Sequence, residues 1–126
     1  AMAREIDEIN QTTDCQVSLQ ELRDTTALKN AISDSAILVN ASSVGMSPNI
    51  DGCLLPDASY FHPELIVSDV IYNPKKTKLL TMAEAAGLST FNGMYMLLYQ
   101  GVEAFRLWTG KEAPVNLIKE TLFTEQ

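Results

Sequence analysis

Three apolar, β-prone segments of this chain each run directly into a polar turn. The three transitions lie at residues 37–46, 65–74 and 90–93. Helical periodicity separates the later segments, and alternation of strands and helices is typical of a parallel, doubly wound α/β sheet. In such sheets, ligands bind outside the carboxyl ends of the strands. The three turns therefore predict one shared crevice at that edge of the sheet.

The charge balance limits the classes of partner. The 126 residues carry a formal net charge of −7, which argues against nucleic acid or an anionic membrane surface, because phosphate binders rely on clustered Lys and Arg. The one basic cluster, residues 75–78, is expected to be a solvated helix start rather than a phosphate contact. No segment approaches the apolar length of a membrane span. The chain is long enough for one domain with its own core.

Cysteine and histidine usage predicts neither a metal site nor a redox pair. Cys15 and Cys53 are far apart and form no C-x-x-C motif, so both are interpreted as reduced thiols of a cytoplasmic protein. His62 is the one histidine, and no nucleophile or metal-ligand pattern surrounds it. We expect it at the surface.

Periodicity predicts about four strands with flanking helices. The expected strands are residues 15–19, 36–39, 65–71 and the segment around 90–91. The expected helices are the end of one at 3–10, one beginning near Thr25 or Thr26, and three at 77–86, 94–109 and 115–123, with one further turn around 58–61. The strand at 36–39 is apolar enough to be buried on both faces. The longest helix is expected to face the core through Leu97, Gly101, Ala104, Phe105 and Trp108.

Several residues around the predicted crevice have both a functional and a purely structural interpretation. The small residues 40–48 would let the backbone approach a flat ligand, with Gly45 supplying a bend, but they also suit an ordinary turn. Gln100 lies near the inward edge of its helix, where its amide meets either a ligand or a backbone partner. Tyr72 either points its hydroxyl into the crevice or packs its ring on the next helix. Asn92 and Gly93 favour a positive-φ turn with or without a ligand.

Three motifs in order carry a resemblance to a known family. They are N-A-S-S-V-G-M-S-P at 40–48, D-V-I-Y-N-P-K-K-T-K-L-L at 69–80 and N-G-M-Y-M-L-L-Y-Q-G-V-E-A-F-R-L-W-T-G-K at 92–111. Together they are similar to the carboxyl half of the shikimate dehydrogenase family, including its quinate/shikimate branch. The resemblance extends more loosely back to the first helix, so it covers nearly all of the chain.

The resemblance implies an oxidoreductase of aromatic amino acid precursor synthesis. Members of the family use NADP or NAD to interconvert shikimate or quinate and the 3-dehydro acid. The implied fold is an incomplete Rossmann-like domain: residues 1–126 would form a single partial NAD(P)-binding domain with carboxyl-terminal helices, without the amino-terminal substrate domain.

The resemblance also implies roles for eight residues. It places Tyr72 at the substrate carboxylate and Gln100 at the ring hydroxyls. Along the nicotinamide it places Ser42, Ser43, Met46, Val70, Gly93 and Met96. Tyr95 stands where the family usually has glycine, and a phenol there could occlude the nicotinamide site. No catalytic residue and no metal ligand is implied in this chain.

Other family features are absent from the 126 residues. No G-x-G-x-x-G occurs, although a dinucleotide site would normally open with one, and the catalytic Lys and Asp of the family have no counterpart. We expect the isolated chain to be inactive, with a non-catalytic association or regulatory module as the alternative. The implied sheet has exposed edges, so either the segment 15–19 pairs directly with 36–39 or two chains form a homodimer through an edge.

Overall fold

Three short strands form one parallel sheet in the computed structural model, which describes residues 2–124. They are β1 (Ile37–Asn40), β2 (Ile66–Asp69) and β3 (Ser89–Phe91), hydrogen-bonded in the order β1-β2-β3. The register pairs Asn40 with Asp69. The predicted α/β class and parallel sheet are confirmed, and the polar residues that end β1 and β2 lie side by side.

The described residues also form α-helices close to the predicted positions. They are α1 (Met2–Thr12), α2 (Thr25–Ser33), α3 (Lys78–Ala85), α4 (Met94–Thr109) and α5 (Val115–Thr124), with a single 3₁₀ turn at Ala58–Tyr60. Asp24, rather than a threonine, caps α2 by accepting a hydrogen bond from the Ala27 amide. Thr77 caps α3, and Gly87 follows its end at φ 80°. None of these helices is long and apolar enough to cross a membrane.

The chain divides into two compact units, one ending at Asp34 and the other starting at Ser35. In the first unit, the strand predicted at 15–19 is wrong, because these residues form no strand pairing and are all exposed. The Asn10 amide satisfies the backbone of Val17, accepting from its N–H at 2.6 Å and donating to its carbonyl at 2.9 Å. The alternating side chains of residues 15–19 cover no apolar surface. The described sheet therefore has three strands rather than about four.

The second unit buries its core between the sheet and α3. Helix α3 packs on β2 and β3, and α4 packs on α5. The buried apolar side chains near the sheet are Leu65, Val67, Ile71, Leu79, Leu80, Ala83 and Leu88. Because Val67 is fully buried at the centre of β2, the central strand is held on the face that α3 covers. The ends of β1 and β2 are thus fixed relative to each other.

Strand β1 is not buried on both faces as predicted. Ile37 and Val39 are 50% and 52% exposed, whereas Leu38 is half-buried and Asn40 is buried on the opposite face. β1 is an edge strand of the described sheet, and an apolar run alone does not determine which of its two faces will be covered.

The predicted inward face of α4 is also wrong. Met94 and Leu98 are the buried residues of this helix, so burial is confined to its first two turns. Trp108 is 84% exposed. The predicted set includes two half-buried residues, Leu97 and Ala104, and three exposed ones, Gly101, Phe105 and Trp108. Helical periodicity identified an apolar side of α4 but not where along the helix a packing partner lies.

Candidate functional site

A cleft of about 340 Å³ opens at the carboxyl ends of β1 and β2. This volume lies at the lower end of the range that small-molecule sites occupy. The cleft is lined by Ser42, Ser43, Met46, Ser47, Val70, Ile71, Tyr72 and Asn73. These residues combine hydroxyl groups, apolar side chains and main-chain groups. Such a surface suits a flat, partly polar ring.

A buried carboxylate lies directly behind this cleft. Asp69, the last residue of β2, is fully buried and accepts four hydrogen bonds. The Thr77 hydroxyl donates to Oδ2 at 2.7 Å and the Ile71 amide donates to Oδ1 at 3.0 Å, while Nδ2 of Asn40 contacts both oxygens at 3.2 Å. The carboxylate therefore links the end of β1, the start of α3 and the chain just past β2.

The loop after β1 is organised by Asn40. Its Oδ1 accepts from the Ser42 hydroxyl at 2.7 Å and from the Ser42 amide at 3.1 Å, and its Nδ2 donates to the Val44 carbonyl at 3.1 Å. The Ser42 hydroxyl in turn accepts from the Val44 amide at 3.2 Å. The wall formed by Ser42 and Ser43 is thus held by hydrogen bonds that begin at a buried strand residue.

Gly45 and the loop after β2 complete the wall. Gly45 has φ 96°, and a Cβ there would lie 3.1 Å from the Gly52 carbonyl oxygen. Its role as a bend is confirmed by this conformation, which L side chains rarely adopt. The Ser47 amide donates to the Asn73 carbonyl at 3.2 Å. The two loops that line the cleft are therefore directly joined.

The turn after β3 contacts the chain just past β2 through backbone atoms. The Gly93 amide donates to the Ile71 carbonyl at 3.0 Å, and a Cβ on Gly93 would lie 1.9 Å from the Val70 carbonyl oxygen. The positive φ predicted for this turn is wrong, since Gly93 has φ −74°. Glycine is required here because no side chain fits against β2. The Asn92 side chain fixes the turn by donating to the Lys75 carbonyl at 2.8 Å.

The structure places some of the eight predicted site residues in the cleft and others outside it. Five of them line the cleft: Ser42, Ser43, Met46, Val70 and Tyr72. Gly93 touches the backbone beneath Val70. Met96 and Gln100 lie one helical turn apart on α4 and are exposed, so the predicted inward position of Gln100 is wrong. Gly93, Met96 and Gln100 have the i, i+3, i+7 spacing that places residues on one side of a helix.

Tyr95 lies on a different side of α4 from Met96. Its ring is 5.0 Å from that of Phe123 and 6.4 Å from that of Tyr99, and Nζ of Lys119 lies 5.3 Å from its centroid. Tyr95 is not among the residues that line the cleft. Its ring contacts α5 and the next turn of α4, and Tyr95 lines a separate cavity together with Lys75 and Asn92.

The ion pair near the sheet is centred on Glu84 of α3, outside the cleft. Glu84 accepts from Nζ of Lys76 at 2.6 Å and from the Thr90 hydroxyl at 3.0 Å. The Lys76 hydrogen bond, followed by that of Thr90, lowers the pKa of Glu84. Within residues 2–124, no three His, Cys, Asp or Glu side chains converge as metal ligands.

Sequence reasoning missed the network of Asn40, Asp69 and Thr77. A search for paired carboxylates finds no partner for Asp69 in the sequence. The usable signal was different: two polar residues end adjacent strands, and a threonine precedes the apolar helix that follows. Parallel pairing makes such strand-final residues neighbours.

Comparison with known proteins gives consistent matches. The family model for the shikimate 5'-dehydrogenase C-terminal domain matches residues 93–123, which cover α4 and most of α5. The chain is 49% identical over 118 residues to an NADP(+) shikimate dehydrogenase of Listeria monocytogenes, covering 94% of this chain and 40% of that protein. It is 43% identical over 114 residues to a quinate/shikimate dehydrogenase of Escherichia coli, with 90% and 40% covered.

Solved structures agree with the sequence matches. Shikimate 5-dehydrogenase of Listeria monocytogenes, in complex with shikimate and NAD, superimposes with a TM-score of 0.87 at 48% identity, covering 97% of this chain and 42% of that one. Quinate dehydrogenase of Corynebacterium glutamicum, in complex with NAD, gives a TM-score of 0.79 at 33% identity over the same shares. The chain thus spans about two fifths of the length of these relatives.

Proposed function

We propose, because this chain belongs to the shikimate and quinate/shikimate dehydrogenase family and matches its carboxyl-terminal portion, that it supplies the nicotinamide-side wall of an NAD(P)-dependent dehydrogenase site. The reaction of that site interconverts shikimate or quinate and the 3-dehydro acid. The observation that carries the proposal is the cleft in which Ser42, Ser43, Met46, Val70 and Tyr72 meet.

The lining of the cleft suits the nicotinamide ring. Met46 and Val70 offer apolar surface to the faces of the ring, and the unbranched thioether of methionine adapts to flat ligands. The carboxamide requires one donor and one acceptor, which the main chain around Ser43 and Val70 can provide. Gly93 lets α4 begin close enough to Val70 for Met96 to extend the same wall.

The substrate would lie beyond the ring, toward Tyr72 and Gln100. Tyr72 is 45% exposed and lines the cleft, and its phenol can donate to a carboxylate. The Gln100 amide is exposed on α4 and carries both donors and an acceptor, as recognition of ring hydroxyls requires. Hydride would pass between the nicotinamide and the ring carbon that bears the reacting oxygen.

Residues 1–126 are proposed to bind without turning over. Oxidising a secondary alcohol also requires a group that takes the hydroxyl proton, and the residues that line the cleft include no His, Lys, Asp or Glu. The sequence has no glycine-rich pyrophosphate loop, so most of the affinity for NAD or NADP would be missing. Both compact units are proposed to belong to one partial nucleotide-binding domain, and the two free thiols suit a cytoplasmic location.

Titration calorimetry with NAD, NADP, shikimate and quinate, together with absorbance at 340 nm, tests this proposal. We expect millimolar binding of at least one cofactor and one acid, without turnover. A Ser43→Trp variant should abolish cofactor binding by filling the cleft, whereas Ser33→Trp, at an exposed position of α2, should not. Turnover near that of a full-length relative would refute the inactivity, and an absence of all binding would refute the site.

A non-catalytic association module is the second candidate, favoured by the half-exposed Ile37 and Val39 on edge strand β1. Unpaired strand edges invite pairing with another chain, and a homodimer would be its simplest form. Light scattering should then give a mass that rises with concentration. The monomer mass at every concentration would exclude the homodimer.

A further inference from the structure

We propose that Asp69 is a positioning residue that sets the shape of the nicotinamide wall by fixing which way the Asn40 side-chain amide faces. This inference rests on the proposed function for its purpose, but the positioning itself is testable without any ligand. Asp69 does not line the cleft. It acts through Asn40 on one wall and through the Ile71 amide on the other.

The argument begins with the chemistry of the two side chains. A carboxylate only accepts hydrogen bonds, whereas an amide has one end that donates and one that accepts. Asp69 is fully buried and lies 3.2 Å from Nδ2 of Asn40 through both oxygens. An Asn40 amide turned the other way would place Oδ1 against the carboxylate, with two acceptors in contact and no donor between them.

The fixed amide then determines the loop. With Nδ2 toward Asp69, Oδ1 is free to accept from both the amide and the hydroxyl of Ser42, at 3.1 and 2.7 Å. The Ser42 hydroxyl is thereby oriented to accept from the Val44 amide. One buried carboxylate thus selects the hydrogen-bonding order of the loop that carries Ser42, Ser43 and Met46.

The second wall depends on the same group. Oδ1 of Asp69 accepts from the Ile71 amide at 3.0 Å, and Ile71 lies between Val70 and Tyr72, which both line the cleft. An apolar pair at 40 and 69 would hold the two strands together without burying a charge. The polar pair of Asn40 and Asp69 differs from an apolar pair because its hydrogen bonds orient the loops on both sides of the cleft.

Amide hydrogen exchange on the 126-residue chain, compared with the Asp69→Asn variant, tests the positioning. We expect Ser42 and Val44 amides to exchange at least about tenfold faster in the variant, while the Leu38 and Ile66 amides, which join the β1 and β2 segments, change less than about threefold. Thr77→Val removes a different partner of Asp69 and should not lower the protection of Ser42 and Val44 relative to that of the strand amides. Equal loss of protection at all four amides, or no loss at Ser42 and Val44, would overturn the proposal.

A measurement on the unaltered chain covers the case in which Asp69→Asn does not fold. The Asn40 side-chain NH₂ protons should exchange slowly and show nuclear Overhauser effects to the Thr77 hydroxyl region rather than to the Ser42 amide. The opposite pattern would refute the assigned orientation. Nicotinamide mononucleotide then serves as the ligand probe: binding by the unaltered chain that weakens at least about fivefold in Asp69→Asn links positioning to function. Absence of binding by the unaltered chain would count against the proposed function alone.

Discussion

The strand-end cleft and the α4–α5 face are built in contrasting ways, although the proposed site draws on both. At the strand ends, buried polar residues fix the loops through hydrogen bonds from Asp69 and Asn40. On α4, Met96 and Gln100 are exposed, and Gln100 makes no side-chain hydrogen bond to the rest of the described chain. The cleft wall is therefore preorganised. Met96 and Gln100 on α4, in contrast, would lose side-chain conformational entropy when a ligand binds.

This difference predicts where substitutions will act on stability and where they will act on binding. Changes behind the cleft wall should destabilise the fold. Changes on the exposed side of α4 should alter the free energy of unfolding by about 1 kcal/mol or less.

Gly93→Ala should be the most damaging single substitution at the α4 junction. The added Cβ would lie 1.9 Å from the Val70 carbonyl oxygen. Because the Cβ has no torsional freedom and the oxygen belongs to the backbone, the clash is relieved only by a backbone shift. We expect a loss of about 3 kcal/mol or more in the free energy of unfolding by urea denaturation. Gly101→Ala is the matched control, because a Cβ there has nothing within 4 Å. It should stabilise the chain by up to about 1 kcal/mol. Equal effects at the two positions would contradict the close packing at Gly93.

Thr77→Val should come next. The Thr77 hydroxyl donates to Asp69 at 2.7 Å and caps α3 by accepting from the Leu80 amide at 3.4 Å, and valine keeps the shape but loses both interactions. The expected loss is about 2 kcal/mol in thermal or urea unfolding. Thr81→Val, one turn later, removes only a hydroxyl that donates to a carbonyl of its own helix and should change stability by less than about 0.5 kcal/mol. A Thr81 effect as large as that of Thr77 would argue against the buried network as the source.

Tyr95→Leu should have a moderate effect confined to the helix pair. The substitution removes the ring contacts with Phe123 and Tyr99 and the cation–π contact with Lys119, together worth about 1 kcal/mol. Trp108→Leu, at a highly exposed position of the same helix, should cost much less. Nicotinamide affinity should be unchanged by Tyr95→Leu. A marked gain in affinity would instead place the Tyr95 ring in the nicotinamide site.

The smallest effect should be a pH dependence that arises at Glu84. Lys76 first and Thr90 second hold the pKa of Glu84 below its usual value of 4.5. A depressed pKa in the folded state contributes stability that is present above pH 4.5 and is lost as the pH falls through the lower folded-state value. Melting curves between pH 7 and pH 3 should show a shallower acid decline for Glu84→Gln. In NMR titration, Lys76→Met should raise the Glu84 pKa more than Thr90→Val does, and the reverse order would contradict the assignment of causes.

The contrast between the two regions also explains which features the sequence could predict. The residues 65–71 indicate a strand because a β-prone run there ends just before Asn73 and Pro74, and the three family motifs identify Ser42, Met46, Val70 and Tyr72 as neighbours before any geometry is known. The buried network was not predictable by searching for paired acids, because the partners of Asp69 are an amide, a hydroxyl and a backbone N–H.

Sequence periodicity was least reliable where a side chain has no partner within the described chain. Trp108 and Phe105 satisfy the apolar repeat of α4 and are exposed all the same. Residues 15–19 alternate like a strand, but the Asn10 amide satisfies the Val17 backbone instead of a neighbouring strand. Local pattern describes what a segment can bury, whereas tertiary packing decides whether it does.

Mapping nicotinamide mononucleotide onto the ¹⁵N-labelled chain by NMR tests the central claim most directly. If the strand-end cleft is the nicotinamide site, the largest amide shifts should cluster at Ser42, Ser43, Met46, Val70 and Tyr72, with smaller ones at Gly93 and Met96. Shifts centred instead on α5 or on residues 2–34, or none at millimolar ligand, would contradict it.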